Sequence, residues 1–155
     1  MAAPAMHLPD CPLCQPASSV GLIWHDARLR VVDAGDPIYP GYTRVIWNAH
    51  ISEMTDLDPE DRSYLMDTVW RVEAVLRAEL APGKVNVAQL GNQVPHLHWH
   101  VIPRWPLDPH YPDSIWSARP QRSPEQALAW EVFHAQQAQG LADYRAALRR
   151  VLNAV

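Results

Sequence analysis

Apolar residues recur along this chain with two different periods, and the longer period marks its longest helix. Leu65, Val69, Val72 and Leu76 follow i, i+4, i+7 and i+11, with Leu80 closing the stripe and Met66 beside it. Asp58 stands ahead as an N-cap, Pro59 takes the first helical position, and Glu60 and Asp61 suit the positive end of the helix dipole. Pro82-Gly83 ends the pattern, so a helix is expected from Pro59 to about Leu80.

Elsewhere the pattern is that of strands. Residues 20–25 and 28–34 predict a hairpin with a tight turn at Asp26-Ala27, and residues 42–47 predict a third strand that ends near Asn48-Ala49-His50. Residues 84–90 alternate Val85 and Val87 with Asn86 and Ala88. A turn at residues 91–95 then leads into His96-Leu97-His98-Trp99-His100-Val101-Ile102, which should pair antiparallel with the strand before it. Beyond a proline-rich stretch, Ser123-Pro124-Glu125 opens a helical region running to about residue 153, with a break at Gly140. The expected class is α+β: a five-stranded antiparallel sheet, the long helix packed on it, and C-terminal helices.

The last strand places chemistry beside packing. His96, His98 and His100 fall on one face, and Leu97, Trp99 and Val101 on the other, where the long helix should lie. From the triplet alone such a face can be reactive or merely polar, and a register slip of one residue would turn the histidines into the core.

Composition limits the setting. The 155 residues suit one domain, 1–155, and the net charge of −4 argues against extended binding to a nucleic-acid polymer while leaving room for a small basic pocket for one nucleotide. Twelve arginines against one lysine, Lys84, read as compositional bias, so no arginine is assigned a role by number. No run of about 18 apolar residues indicates a membrane span, and Met1-Ala2-Ala3-Pro4 lacks the basic start of an export signal, so the cytoplasm is expected. In that setting Cys11-Pro12-Leu13-Cys14, flanked by loop residues, fits metal ligation better than a redox pair. His50 taken alone is as readily a cap or surface residue.

The segment His96–Ile102 resembles the His-x-His-x-His-x-x signature of the histidine triad (HIT) family, with Gly91 and Val94 before it and Pro103-Arg104 after it. Pro40-Gly41 followed by a strand, His50 and Asp56-Leu57 resemble the family's upstream block, and Cys11-Pro12-Leu13-Cys14 the zinc-binding start of many bacterial members. The resemblance covers about residues 11–104 and implies a HIT-like fold.

It also implies a nucleotide hydrolase acting at the α-phosphorus of a dinucleoside polyphosphate or nucleoside phosphoramidate through a covalent nucleotidyl-His98. By the same resemblance His100 steadies charge on the phosphate and Asn92 contacts the leaving group. Asn86 and Gln93 join the nucleotide site, and Asp33 binds the ribose hydroxyls, with the base against Ile23 and Val31. Cys11, Cys14, His50 and His96 are implied as a structural zinc site, and the long helix with a sheet edge as a homodimer contact. Two further readings remain open: nucleotidyl transfer to a phosphorylated acceptor, or a zinc-stabilised nucleotide-binding module with little turnover. A redox metal centre using all three triad histidines runs against the family pattern.

The chain departs from that pattern in places. Tyr42 stands where the family usually has a histidine, Asn92 where it has glutamine, and a short loop between Asn86 and Gly91 loosens the match of Asn86. Among the tryptophans, Trp105 and Trp116 follow the triad and are expected near the mouth of the site. His7, His25, His110 and His134 have no partners by spacing and are read as surface or packing residues.

Overall fold

A computed structural model describes residues 6–154; Met1–Pro4, read above for an export signal, lie outside the described residues. The chain order is β1 (Leu22–His25), β2 (Leu29–Asp33), β3 (Thr43–Trp47), α1 (Pro59–Leu80), β4 (Lys84–Ala88), β5 (His98–Arg104), α2 (Pro124–Gln139) and α3 (Leu141–Asn153). The strands form one five-stranded sheet in the order β1-β2-β3-β5-β4, every neighbouring pair antiparallel. β5, the histidine strand, is thus held between β3 and β4. Among the described residues, no helix is long and apolar enough to cross a membrane.

The helix starts as its sequence predicts. The Asp58 carboxylate accepts from Asp61 N at 2.9 Å, with Pro59 as the first helical residue. At the far end Ala81 turns into the left-handed region at φ 45°, just ahead of Pro82. Ser123 and Gln126 form a reciprocal capping box that opens α2, and Gly140 is the joint between α2 and α3.

Strand alternation sorts the sheet into two faces. Leu29, Val31, Val45, Trp47, Leu97 and Val101 are buried in one core with Leu65, Val69, Val72 and Leu76 of α1 and Leu148 and Leu152 of α3. Removing this much apolar surface from water is the main force holding sheet and helices together. Tyr144 of α3 is fully buried, with its hydroxyl 2.6 Å from Thr43 Oγ1 of β3, so the C-terminal helix is tied to the sheet by a polar as well as an apolar contact. Gly41 at φ +86° makes the close turn into β3; a Cβ there would collide with Leu80 of α1.

The opposite face carries Arg30, Val32, Arg44, Ile46, His98, His100 and Arg104, set by registers that place Arg44 opposite His100 and Ile46 opposite His98. Strand ends are shorter than the sequence pattern indicates. β1 begins after Gly21, whose carbonyl accepts from Asp33 N, and β4 stops at Ala88. His96 also precedes its strand, because the chain enters from the turn at residues 91–95 and Leu97 bonds outward to Trp47 N and Ile51 O.

Candidate active site and metal centre

A short 3-10 turn, Pro12–Cys14, with Cys11 as its N-cap residue, carries the two cysteines to the entry of β5. Arg30 of β2 pins this turn by donating to Leu13 O at 2.5 Å and to Asn48 Oδ1 at 3.0 Å. The ligand atoms of Cys11, Cys14, His50 and His96 consequently lie within 4.8 Å of one another. Cys11 Sγ is 3.4 Å and Cys14 Sγ 3.5 Å from His96 Nδ1, while Cys14 Sγ is 3.6 Å from His50 Nδ1. A tetrahedral ion with bonds of about 2.0–2.3 Å has ligand-to-ligand edges of about 3.3–3.8 Å, and the three sulfur–nitrogen separations fall in that range, so the four residues could hold a small metal ion.

The hydrogen bonding around the cluster agrees. His96 Nε2 lies 2.6 Å from Trp47 O, so that nitrogen carries the proton and Nδ1 is left to bind a cation, the usual support for a ligating histidine. Burial holds the Cys14 thiol above its ordinary pKa, a cost that a bound cation would offset by stabilising the thiolate. The four residues can hold a metal ion; among the described residues neither His98 nor His100 belongs to the cluster.

His96 links the cluster to the next residue of the triad. Its backbone carbonyl is 2.6 Å from His98 Nδ1, so His98 donates there and keeps an unprotonated Nε2. Burial pushes the His98 pKa below the usual imidazole range, opposed by that hydrogen bond and helped by the charge of Arg44. The rings of His98 and His100 meet edge to face with centroids 4.8 Å apart.

His100 is positioned by Tyr42, whose hydroxyl lies 2.5 Å from His100 Nδ1. Burial raises the Tyr42 pKa and pushes that of His100 down to about 3, with neighbouring His98 and Arg44 acting in the same direction. The tyrosine is therefore the donor and His100 the neutral acceptor, which places the His100 proton on Nε2 as a hydrogen-bond donor.

His98, His100 and Tyr42 line a cavity of about 420 Å³ together with Arg44, Asn92, Gln93 and Trp116. All three triad histidines are buried although they face away from the helices, because the cysteine turn and the segment after β5 cover that face. Trp116 meets His100 with ring centroids 5.2 Å apart. A second cavity of about 400 Å³ adjoins along Leu13 and Arg44 and is lined by Leu22, Val32, Asp33, Ile46, Arg145 and Arg149.

The segment bearing Trp116 is anchored by a buried ion pair. Arg104 donates to both Asp108 oxygens at 2.8 and 3.0 Å, and also to Asp113 O and Asn86 Oδ1. Asp108 accepts further from Trp105 N, His110 N, Tyr111 N and the Tyr39 hydroxyl, which meets His110 as well.

Several sequence expectations change in this light. Ile23 and Val31 are not a base pocket: they are buried in the core on the helix side, because period-two alternation turns Val32 and Ile46 to the cavity instead. Trp105 is core, packed against Trp130 and Phe133, and only Trp116 of the pair reaches the cavity. Asn86 shares the triad face but is held by Arg104 and does not line either cavity. Asp33 lies in the second cavity with Oδ2 2.6 Å from Arg145. His110 is a buried polar group, and His7 meets Cys14 O. Composition hid Arg44, Arg104 and Arg145; the alternation of Thr43-Arg44-Val45-Ile46-Trp47 was the signal that Arg44 shares a face with Ile46.

A family model described as "HIT domain" matches residues 18–107, which leaves the two cysteines outside the match. An asymmetrical bis(5′-nucleosyl)-tetraphosphatase of Schizosaccharomyces pombe is 30% identical over 86 residues, 52% of this chain and 47% of that protein. An uncharacterised HIT-like protein of Saccharolobus solfataricus is 32% identical over 78 residues, 47% of this chain and 56% of that one. The chain thus spans about half the length of the curated relatives it matches. Among solved structures, a histidine triad protein of Bradyrhizobium japonicum superposes with a TM-score of 0.66 at 25% identity, covering 95% of this chain and 98% of that one. One from Sinorhizobium meliloti gives 0.60 at 26% identity, with 82% and 95% covered.

Proposed function

This chain belongs to the HIT domain family, and we propose that it hydrolyses a nucleotide at its α-phosphorus, a dinucleoside polyphosphate or a nucleoside phosphoramidate, through a covalent nucleotidyl-His98. The observation that carries the reading is the bond of His98 Nδ1 to His96 O, which leaves a neutral, unprotonated Nε2 on a residue lining the cavity. The relative named as a nucleosyl-tetraphosphatase supports the substrate class.

In the first step His98 Nε2 attacks the α-phosphorus, and the bond from phosphorus to the leaving oxygen or nitrogen breaks with its electron pair going to the leaving group. Water then attacks the same phosphorus, and the phosphorus–nitrogen bond breaks. Imidazole returns neutral and the nucleoside monophosphate departs; the proton released by water goes to the leaving group or solvent. His100, held neutral with Nε2–H as donor, steadies the non-bridging oxygens, since this chemistry depends on positioning and electrostatics. Asn92 and Gln93 face the leaving group. Asp33 holds the ribose from the second cavity, with Val32 and Ile46 against the nucleoside.

Zinc at Cys11, Cys14, His50 and His96 would be structural, since four protein ligands close the coordination shell. It would fix His96, whose carbonyl orients His98. A homodimer belongs to the same reading, supported by Trp70, which stands 52% exposed on α1; sizing at micromolar concentration that gave one 17.5 kDa species would reject it.

The test of the hydrolase reading is intact-protein mass spectrometry of wild type and His98→Ala after brief mixing with adenosine 5′-phosphoramidate, quenched without acid. An added AMP mass on the wild type alone is expected. No adduct and no released AMP would turn the reading toward a nucleotide-binding module with little turnover.

A further inference from the structure

The wall that carries His98 and His100 also carries Arg44, and none of the steps above uses it. Its position is set by register: β3 places it opposite His100 on one side and opposite Val32 on the other. It therefore lies on the boundary between the triad cavity and the cavity beside Asp33, and it lines both.

The Tyr42 hydroxyl is a neutral hydrogen-bond partner of Arg44, which leaves the positive charge of the guanidinium uncompensated. The Arg44 Nε is buried with no hydrogen-bond partner, and among the described residues no carboxylate forms an ion pair with Arg44. Its guanidinium carbon lies 5.5 Å from the centre of the Tyr42 ring. Arg104, two turns of alternation away on the same sheet face, shows the contrast, since both oxygens of Asp108 meet it. A partly buried guanidinium without a counter-charge is costly, and a site keeps such a group where a ligand brings the missing anion. Its planar fork matches two oxygens of a phosphate.

We propose that Arg44 is the phosphate-binding residue of this site, holding the non-bridging oxygens of the α-phosphate from the boundary between the nucleoside cavity and the triad. The inference rests on the nucleotide reading above and deepens it. It orders the substrate: nucleoside beside Asp33 and Val32, α-phosphate between Arg44 and His98, leaving group toward Asn92 and Gln93. It also offers a compensation for Tyr42. The family resemblance expects an imidazole at that position; here the hydroxyl orients His100, and Arg44, two residues along and at the edge of the same cavity, supplies a positive charge.

The test is calorimetric binding of AMP, adenosine and inorganic phosphate to wild type, Arg44→Gln and Arg44→Lys, repeated with GMP and guanosine. The wild type is expected to bind the monophosphate more tightly than the nucleoside. Arg44→Gln should weaken monophosphate binding by about 10- to 100-fold while leaving nucleoside binding within about 2-fold, and Arg44→Lys should recover part of the loss. Equal weakening of nucleoside and monophosphate would overturn the proposal in favour of a structural role for Arg44. Monophosphate binding unchanged in Arg44→Gln would overturn it alone, leaving the nucleotide reading standing. A wild type that binds inorganic phosphate as tightly as AMP or GMP, or that binds none of the nucleosides and nucleotides, would remove the nucleotide reading and this inference together.

Discussion

The hydroxyl of Tyr42 lies 2.5 Å from Nδ1 of His100, so a residue that breaks the family's usual histidine pattern holds a triad histidine in one tautomer. Tyr42→Phe would leave Nδ1 buried without its donor, at a cost of about 1–3 kcal/mol in stability. Turnover of adenosine 5′-phosphoramidate should fall by roughly 10-fold or more, because His100 loses the bond that fixes its proton on Nε2. A thermal melt read beside the rate separates the two effects; an unchanged rate would show that His100 needs no such orientation.

The cysteine–histidine cluster predicts one tightly held zinc per chain, detectable by native mass spectrometry and lost in Cys14→Ser. Stripping the ion with a chelator should lower the melting temperature by roughly 10 °C, since a ligand bound only by the folded state adds directly to stability. Activity should fall with it, because His96 is both a ligand of the cluster and, through its carbonyl, the acceptor for His98. A metal-free preparation with the same melting temperature and rate would exclude a structural ion.

Acid should destabilise the fold below the ordinary histidine range. His100 titrates at about 3 in the folded protein against 6.5 when free, so the unfolded chain binds the extra proton between these values. Its contribution is therefore intact above about pH 6.5 and is lost as pH falls toward 3, with a slope of at most about 1.4 kcal/mol per pH unit. Urea unfolding of wild type and His100→Gln at pH 7.5 and pH 5 should show a shallower pH dependence in the variant. Parallel curves would mean that His100 takes up its proton equally in both states.

Asp108 is the most heavily bonded carboxylate near the site, and both it and Arg104 are buried. Asp108→Ala would strand the guanidinium and should cost about 3–5 kcal/mol in denaturant unfolding. Since the same network anchors the chain leading to Trp116, hydrogen exchange across residues 105–117 should quicken in this variant. No change in exchange would place the order of that segment elsewhere.

Most of the secondary structure was legible because local rules and global packing agree. The α1 stripe, its Asp58 cap, the joint at Gly140 and the alternating strands each carry a short-range signal, and the structure moves their ends by only a residue or two. The four metal-cluster residues were reached through family resemblance rather than spacing, since their meeting depends on the cysteine turn folding over the start of β5. The wall of the cavity beside Asp33 was misread at Ile23 and Val31. Both are apolar residues on the right strands, but which face each one points to depends on register and on where α1 packs.

By itself, then, the amino-acid order determined the helices and strands, the two-faced histidine strand and the set of residues able to do chemistry, because those follow from periodicity, capping and side-chain type. Tertiary structure alone decided which partners they have. The order β1-β2-β3-β5-β4 sets Arg44 across from His100, brings the Tyr42 hydroxyl to an imidazole 58 positions away, and lets Asp108 neutralise Arg104 while, among the described residues, Arg44 is left without a carboxylate. Such pairings arise from strand register and packing between segments distant in sequence, which no local pattern of residues encodes.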